Sequence, residues 1–160
     1  MAETLGSLID KLSIKSIREF HLRKSIRQNK NIRNVNELKS KLKILARQKK
    51  NMLKEIEEFI VLAYKKGTIL RDEKLKMYNK PETLGRIGKI TTIARGIDAL
   101  TKKNTELWNL EDEARRQDVR LAYIGKVKRK IDFANQQRND LIDKIDKLLE
   151  KKARSKRKRK

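Results

Sequence analysis

Apolar residues in this chain return every three, four or seven positions, the spacing that lines side chains up on one face of an α-helix. Val35, Leu38, Leu42, Leu45, Met52, Ile56, Phe59 and Ala63 form one such heptad-like seam. Ile90, Ile93, Ile97, Leu100, Leu107 and Ala114 form a second series, and Ile124, Val127, Ile131, Ala134, Leu141, Ile145 and Leu148 a third. Thr4 can cap a first helix that runs to about Arg27, where the asparagine-rich KNIRNVN interrupts it; Asn34 or Asn36 then starts the second. Gly67 stops that helix after Lys65 and Lys66, cations that suit a helix C-terminus. Residues 68–80 read as a connector with room for one short helix. Asn79, Pro81 and Glu82 then read as the cap, first turn and capping-box partner of the third helix.

The second half repeats the first. A shift of 88 positions lays Ile9 on Ile97, Asp10 on Asp98, Leu12 on Leu100 and Leu22 on Leu110, then Ala46 on Ala134, Gln48 on Gln136, Asn51 on Asn139 and Leu53 on Leu141. Matches at apolar and polar positions alike point to two copies of one supersecondary unit. The ETLG at 3–6 also recurs at 82–85, at a shift of 79. If the second copy folds back near Arg120, facing residues have numbers summing to about 241, which pairs Ile97 with Ile145, Leu100 with Leu141 and Leu107 with Ala134. The predicted fold is all-α: two tandem antiparallel helical hairpins, residues 1–66 and 82–150, joined by a connector at 67–81 and followed by a basic tail at 151–160. Together they would make an elongated, coiled-coil-like four-helix bundle.

One rung of this ladder is polar. Asn104 falls opposite Arg138, and the shift puts Ser16 opposite Lys50 at the same height, with Asn51 and Asn139 alongside. Burying such groups unpaired costs about 1–3 kcal/mol each, so they must bond to each other, to water or to a ligand. Two readings stay open. One is a polar layer that fixes helix register; the other is a ligand pocket with Arg138 as an anion clamp and Asn104 and Asn139 as hydrogen-bonding partners. Trp108, Glu111, Asp112 and Arg115 belong to the same candidate face. The acidic cluster Glu106, Glu111, Asp112 and Glu113 occurs in the second copy only, and pairing of Glu111 with Arg115 and of Asp112 with Arg116 across one helical turn accounts for much of it.

Composition adds charge to this picture rather than chemistry. Charged residues make up 41% of the 160 and aromatics 4%, the mix of long amphipathic helices. The absence of cysteine excludes disulfides, cysteine nucleophiles and thiolate metal sites. Glu55 and Glu58 make an ExxE of the kind that holds magnesium on facing helices, but no matching ExxD follows, so no metal, cofactor or catalytic residue is assigned. His21, the single histidine, reads as a residue at the core boundary. The longest apolar run, residues 59–64, is far short of the roughly 20 residues a membrane helix needs. No secretory leader opens the chain, so the expectation is an intracellular protein, cytoplasmic or nucleoprotein-associated as in a virion, with no membrane partner.

The net charge is +23, and the tail contributes Lys151, Lys152, Arg154, Lys156, Arg157, Lys158, Arg159 and Lys160 with no acid. Residues 1–54 hold 15 Lys or Arg against four carboxylates, so the first copy is strongly basic as well. Such a field favours polyanions as partners. With no aromatics interleaved in the tail, base stacking and sequence readout are not expected of it.

The run from Asn104 to Arg115 (NTELWNLEDEAR) and the run from Lys128 to Asp143 (KRKIDFANQQRNDLID) resemble the bacterial domain-of-unknown-function family 4254, whose pattern is N-x-x-L-W-H-x-E-D-x-A-R followed by K-R-x-I-D-x-x-N-x-Q-R-N-D-x-I-x-x-I-D. The resemblance covers about residues 85–150, with a degenerate copy in the first half. It departs at Asn109, where the family has histidine, the side chain best suited to proton transfer near neutral pH. It implies a helical fold and the pattern residues Asn104, Trp108, Glu111, Asp112, Ala114, Arg115, Asn135, Gln137, Arg138, Asn139 and Asp140, but no activity. The favoured expectation is a non-enzymatic protein whose basic first hairpin and tail hold nucleic acid or another polyanion, within a larger assembly of protein partners. The alternative is an accessory factor or enzyme of surface-glycan or nucleotide metabolism that uses the Asn104, Glu111 and Arg138 face.

Overall fold

Thr4 and Thr92 set where the two hairpins begin. In the computed structural model, which describes residues 3–67, 69 and 87–157, both threonines are extended and their Oγ1 atoms accept from the backbone N–H three residues on, Ser7 N and Arg95 N, each at 3.2 Å. The helices that follow are α1 (Leu5–Gln28), α2 (Ile32–Lys66), α3 (Ile93–Ala114) and α4 (Leu121–Arg157). α1 and α3 start 88 positions apart, the period of the sequence repeat.

Asn31 caps α2, rather than Asn34 or Asn36: its side chain accepts from Arg33 N and Asn34 N, which shortens the break to residues 29–31. Gly67 ends α2 in the left-handed conformation (φ 68°), where a Cβ would be strained. Residues 87–92 are not helical, so Ile90 precedes the third helix and packs against the core from outside it. A cap at Thr92, followed at once by β-branched Ile93, places the helix start later than the apolar stripe alone suggests. The proposed cap at Asn79 with Pro81 and Glu82, the repeated ETLG at 82–85 and nearly all of the 68–80 connector lie outside the described residues.

The main core is built where the two hairpins meet. Leu5, Leu8 and Ile9 of α1 pack with Phe59 and Ala63 of α2, Leu100 of α3, and Leu141, Ile142, Ile145 and Leu149 of α4. The first turns of α1 are buried nearly all round (Leu5, Gly6, Leu8, Ile9, Asp10), which is why LGSLID shows no single apolar stripe. A Cβ on Gly6 would lie 2.5 Å from the Ile142 carbonyl oxygen, so glycine is what lets α1 touch the α4 backbone. There the Gly6 N–H donates to the buried Asp146 carboxylate at 2.7 Å, an anion at the positive end of α1. On α4, Ile142 approaches α1 while Ile145 approaches Gly96 of α3. With neighbours on two sides, α4 buries Leu149 more deeply than the predicted Leu148.

Among the described residues, α4 touches the other three helices while α2 and α3 do not touch. Leu107, Val127, Ile131 and Ala134, with Leu110 and Ala114, fill the far end of the second hairpin with its own small core. The far end of the first hairpin, residues 20–51, buries only Leu45. α4 continues through the basic tail as far as Arg157, with Ala153 fully buried and Lys151, Lys152 and Arg154 exposed. No helix among the described residues is long and apolar enough to cross a membrane.

Candidate functional site

The polar rung forms once, and from α1, α3 and α4 rather than in each hairpin. Asn104, buried on α3, donates through Nδ2 to Asp10 Oδ1 at 2.9 Å and also to Ser13 Oγ, both on α1. Ser13 Oγ in turn donates to the Asp10 carbonyl at 2.8 Å. Arg138 brings its Nε to 3.5 Å from Asp10 Oδ1, an ion-pair distance without a hydrogen bond, and its NH1 donates to Asn135 Oδ1 at 3.4 Å. The buried Asp10 carboxylate is thus offset by a guanidinium and an amide, as a buried charge requires.

Above this layer the three helices leave a cleft of about 200 Å³. It is lined by Ile14 and Arg18 of α1, by Asn104, Leu107, Trp108, Glu111 and Arg115 of α3, and by Asn135 and Arg138 of α4. Trp108 forms part of the wall, and His21 stacks on it at 4.7 Å between ring centroids with 19° between planes. The boundary histidine therefore closes the seam between α1 and α3. Two N–H donors here, Trp108 Nε1 and Arg138 Nε, are buried and make no hydrogen bond among the described residues, the second having only its ion pair with Asp10. Buried donors without acceptors are rare enough that each calls for an explanation. Glu111 is the only carboxylate on the lining among the described residues, against the guanidiniums of Arg18, Arg115 and Arg138.

Asn104, Trp108, Glu111, Arg115 and Arg138 from the sequence face meet in this cleft; the other candidates lie elsewhere. Ser16 is exposed and bonds back to the Leu12 carbonyl of its own helix. Lys50, Asn51 and Asn139 are exposed too. The second copy of the rung fails because α2 stands apart from α3: Lys50 has no third helix to face, whereas its repeat partner Arg138 looks across to α1. Asp112 is exposed and binds Arg115 at 2.9 Å, while Arg115 stays only loosely with Glu111 at 3.9 Å. Arg116 does not reach Asp112, because α3 ends at Ala114 and the turn hands it to Glu113 (2.6 Å) and Asp118 (2.7 Å).

Sequence reasoning missed Asp10, Ser13, Ile14, Arg18 and Leu107. Asp10 and Ser13 were within reach, since a carboxylate and a hydroxyl amid Leu8, Ile9 and Leu12 are polar groups on an apolar stretch. Asn109, where the family carries histidine, is exposed and off the lining. Of the tail cations, Arg154 pairs with Glu150 at 2.6 Å, and Lys158, Arg159 and Lys160 lie outside the described residues. Glu58 of the ExxE sits 3.9 Å from Lys54, and the described residues hold no cluster of three or more metal-ligating side chains.

The profile of the family described as "Protein of unknown function (DUF4254)" matches residues 1–68 and 94–160. The two matched segments correspond to the two hairpins, so the likeness seen at 85–150 extends to the first one. No curated protein and no solved structure matches the chain.

Proposed function

The chain belongs to that family, and from this premise we propose that it is a binding protein whose α1–α3–α4 cleft takes a small phosphate-bearing metabolite of the sugar-phosphate or nucleotide class. The carrying observation is the pair of buried donors without acceptors, Trp108 Nε1 and Arg138 Nε, in one cleft. An anionic oxygen that reached either donor would satisfy it, and charge-assisted bonds to guanidinium are the stronger kind. Arg18 and Arg115 extend the positive wall, while Glu111 and Asn135 offer acceptors for hydroxyl groups. Ile14, Leu107 and Trp108 supply an apolar side for a ring. At about 200 Å³ the cleft is smaller than the ~300–1,000 Å³ of drug-sized pockets, so a single ring with one anionic group suits it better than a dinucleotide.

Trp108 is the only tryptophan in the chain, so its emission reports the site directly. Titration with pyrophosphate, a ribose phosphate, a nucleoside monophosphate and citrate should give a saturable change with at least one phosphorylated probe. Arg138→Met keeps the alkyl stem and removes the donors; affinity should fall about 10- to 100-fold, the value of one or two charge-assisted hydrogen bonds. No saturable response to any probe, or equal affinity in Arg138→Met, would refute the reading.

A further inference from the structure

We infer that the far half of the first hairpin, residues 18–50, is a docking surface for the backbone of duplex nucleic acid; apart from Arg18, none of its cations lines the cleft. This stretch carries 12 Lys or Arg against two carboxylates, Glu19 and Glu37. Both carboxylates are already engaged: Glu19 holds Lys49 at 2.7 Å and Arg23 at 2.7 Å, and Glu37 holds Lys41 at 2.6 Å. Lys24, Arg27, Lys30, Arg33, Lys39 and Lys43 are exposed and have no ion pair among the described residues. The equivalent stretch of the second hairpin, residues 106–138, holds eight cations against six acids, so its field largely cancels.

The shape suits a dense polyanion. Residues 32–50 of α2 extend about 27 Å at 1.5 Å per residue, a length over which duplex DNA presents about 16 phosphates. At physiological ionic strength exposed charges are screened beyond about 8 Å, so only a partner of high charge density engages several of these cations together. Phe20 is the one Phe, Tyr or Trp of the stretch. Single-strand binders rely on stacked aromatics, so its scarcity favours the duplex. Within the stretch the large apolar side chains that are exposed are Phe20, Ile32 and Ile44, too few for the continuous apolar face with which a helix enters a lipid surface.

The tail is not part of this surface. Leu149 of α4 packs in the core with Leu5 at the start of α1, whereas the tip of the first hairpin is at Gln28, about 35 Å further along α1. Tail residues 151–157 and the basic hairpin therefore lie toward opposite ends of α1.

The test is fluorescence anisotropy of a labelled duplex oligonucleotide with the full chain over a salt series. Six phosphates neutralised would give a slope of log K against log salt near about −5. Changing Lys24, Arg27, Lys30, Arg33, Lys39 and Lys43 to Gln together should flatten that slope by about 5, with circular dichroism unchanged because none of the six is buried or paired. Interchanging Lys and Arg at the same six positions should keep it. Lys151→Gln, Lys152→Gln and Arg154→Gln together should leave it as it was. The inference falls if the hairpin variant keeps full slope and affinity, if the tail variant is the one that flattens, or if the chain binds phosphatidylserine vesicles and not the duplex.

Discussion

Residues 18–50 and 106–138 occupy the same place in the repeat, and both form the distal part of a helical hairpin. The second stretch buries Leu107, Val127, Ile131 and Ala134 and laces its surface with ion pairs such as Arg116 with Glu113 and Asp118. The first buries Leu45 alone and leaves most of its cations unpaired. One supersecondary unit thus serves two different arrangements. The second hairpin has a core of its own and one wall of a cleft; the first carries charge with little local packing and depends on the shared core for its place. Net charge of this size is tolerated because it is displaced from that core, where self-repulsion would cost most.

If the shared core holds both hairpins, its loss should affect them together. Leu100 is completely buried there, and Leu100→Ala should cost about 2–5 kcal/mol. Thermal unfolding followed by circular dichroism and by Trp108 fluorescence should shift downward in step, since helix content and the second hairpin melt as one unit. Transitions that separate in the variant would show that the second hairpin's small core is enough to stand without the first.

How far the sequence disclosed this arrangement follows from which forces act locally. Helix ends at Thr4 and Gly67 were legible because capping and the left-handed turn are decided by a few neighbouring residues. The seam residues Leu100, Leu141, Leu107 and Ala134 were legible because antiparallel helices enforce one register. The cleft was half legible. Its α3 and α4 residues lie on one hairpin, but Asp10, Ser13, Ile14 and Arg18 arrive from α1, and nothing in a repeat pattern says that α4 meets α1 while α2 misses α3. Ser16 and Lys50 were misplaced for that reason: they inherit the chemistry of Asn104 and Arg138 without inheriting their neighbours.

A subtler contrast concerns local opening. Amides of residues 20–45 sit on helices with one buried side chain among them, whereas those of 107–134 flank a four-residue core. Native-state hydrogen exchange should find the first set opening in a sub-global step at lower free energy, and the second set exchanging close to the global limit. Equal protection in the two sets would end the claim that the first hairpin relies on the shared core alone. Added duplex should slow exchange selectively in the first set, which joins this measurement to the docking surface.

The smallest effect distinguishes the two tips by pH. At the second, Glu113 and Asp118 have their carboxyls held below the usual range, chiefly by hydrogen bonds from Arg116, with Tyr123 adding one to Glu113. The Tyr123 hydroxyl is pushed up by donating to that same carboxylate. In the first hairpin Glu19 is lowered chiefly by Lys49 and then Arg23, and Glu37 by Lys41. Depressed carboxyls stabilise the folded chain above their unfolded values and lose that contribution as pH falls through the folded ones, so acid should loosen both tips; the raised Tyr123 hydroxyl adds a contribution at the second tip alone, which is lost as pH rises through its folded value. All four groups are close to solvent, so salt should weaken the effect in step. The tips should nonetheless differ. Near pH 3 to 4, roughly the carboxylate range, the second keeps its apolar core when Glu113 and Asp118 protonate. The first, on protonating Glu19 and Glu37, loses the only anions that offset its cations. Carboxyl resonances followed by NMR should place Glu113 and Asp118 below the ordinary range and return them toward it in Arg116→Gln. Backbone shifts of residues 20–45 should move further on acidification than those of 107–134, and the reverse order would mean that ion pairing, not buried apolar area, is what keeps the second hairpin closed.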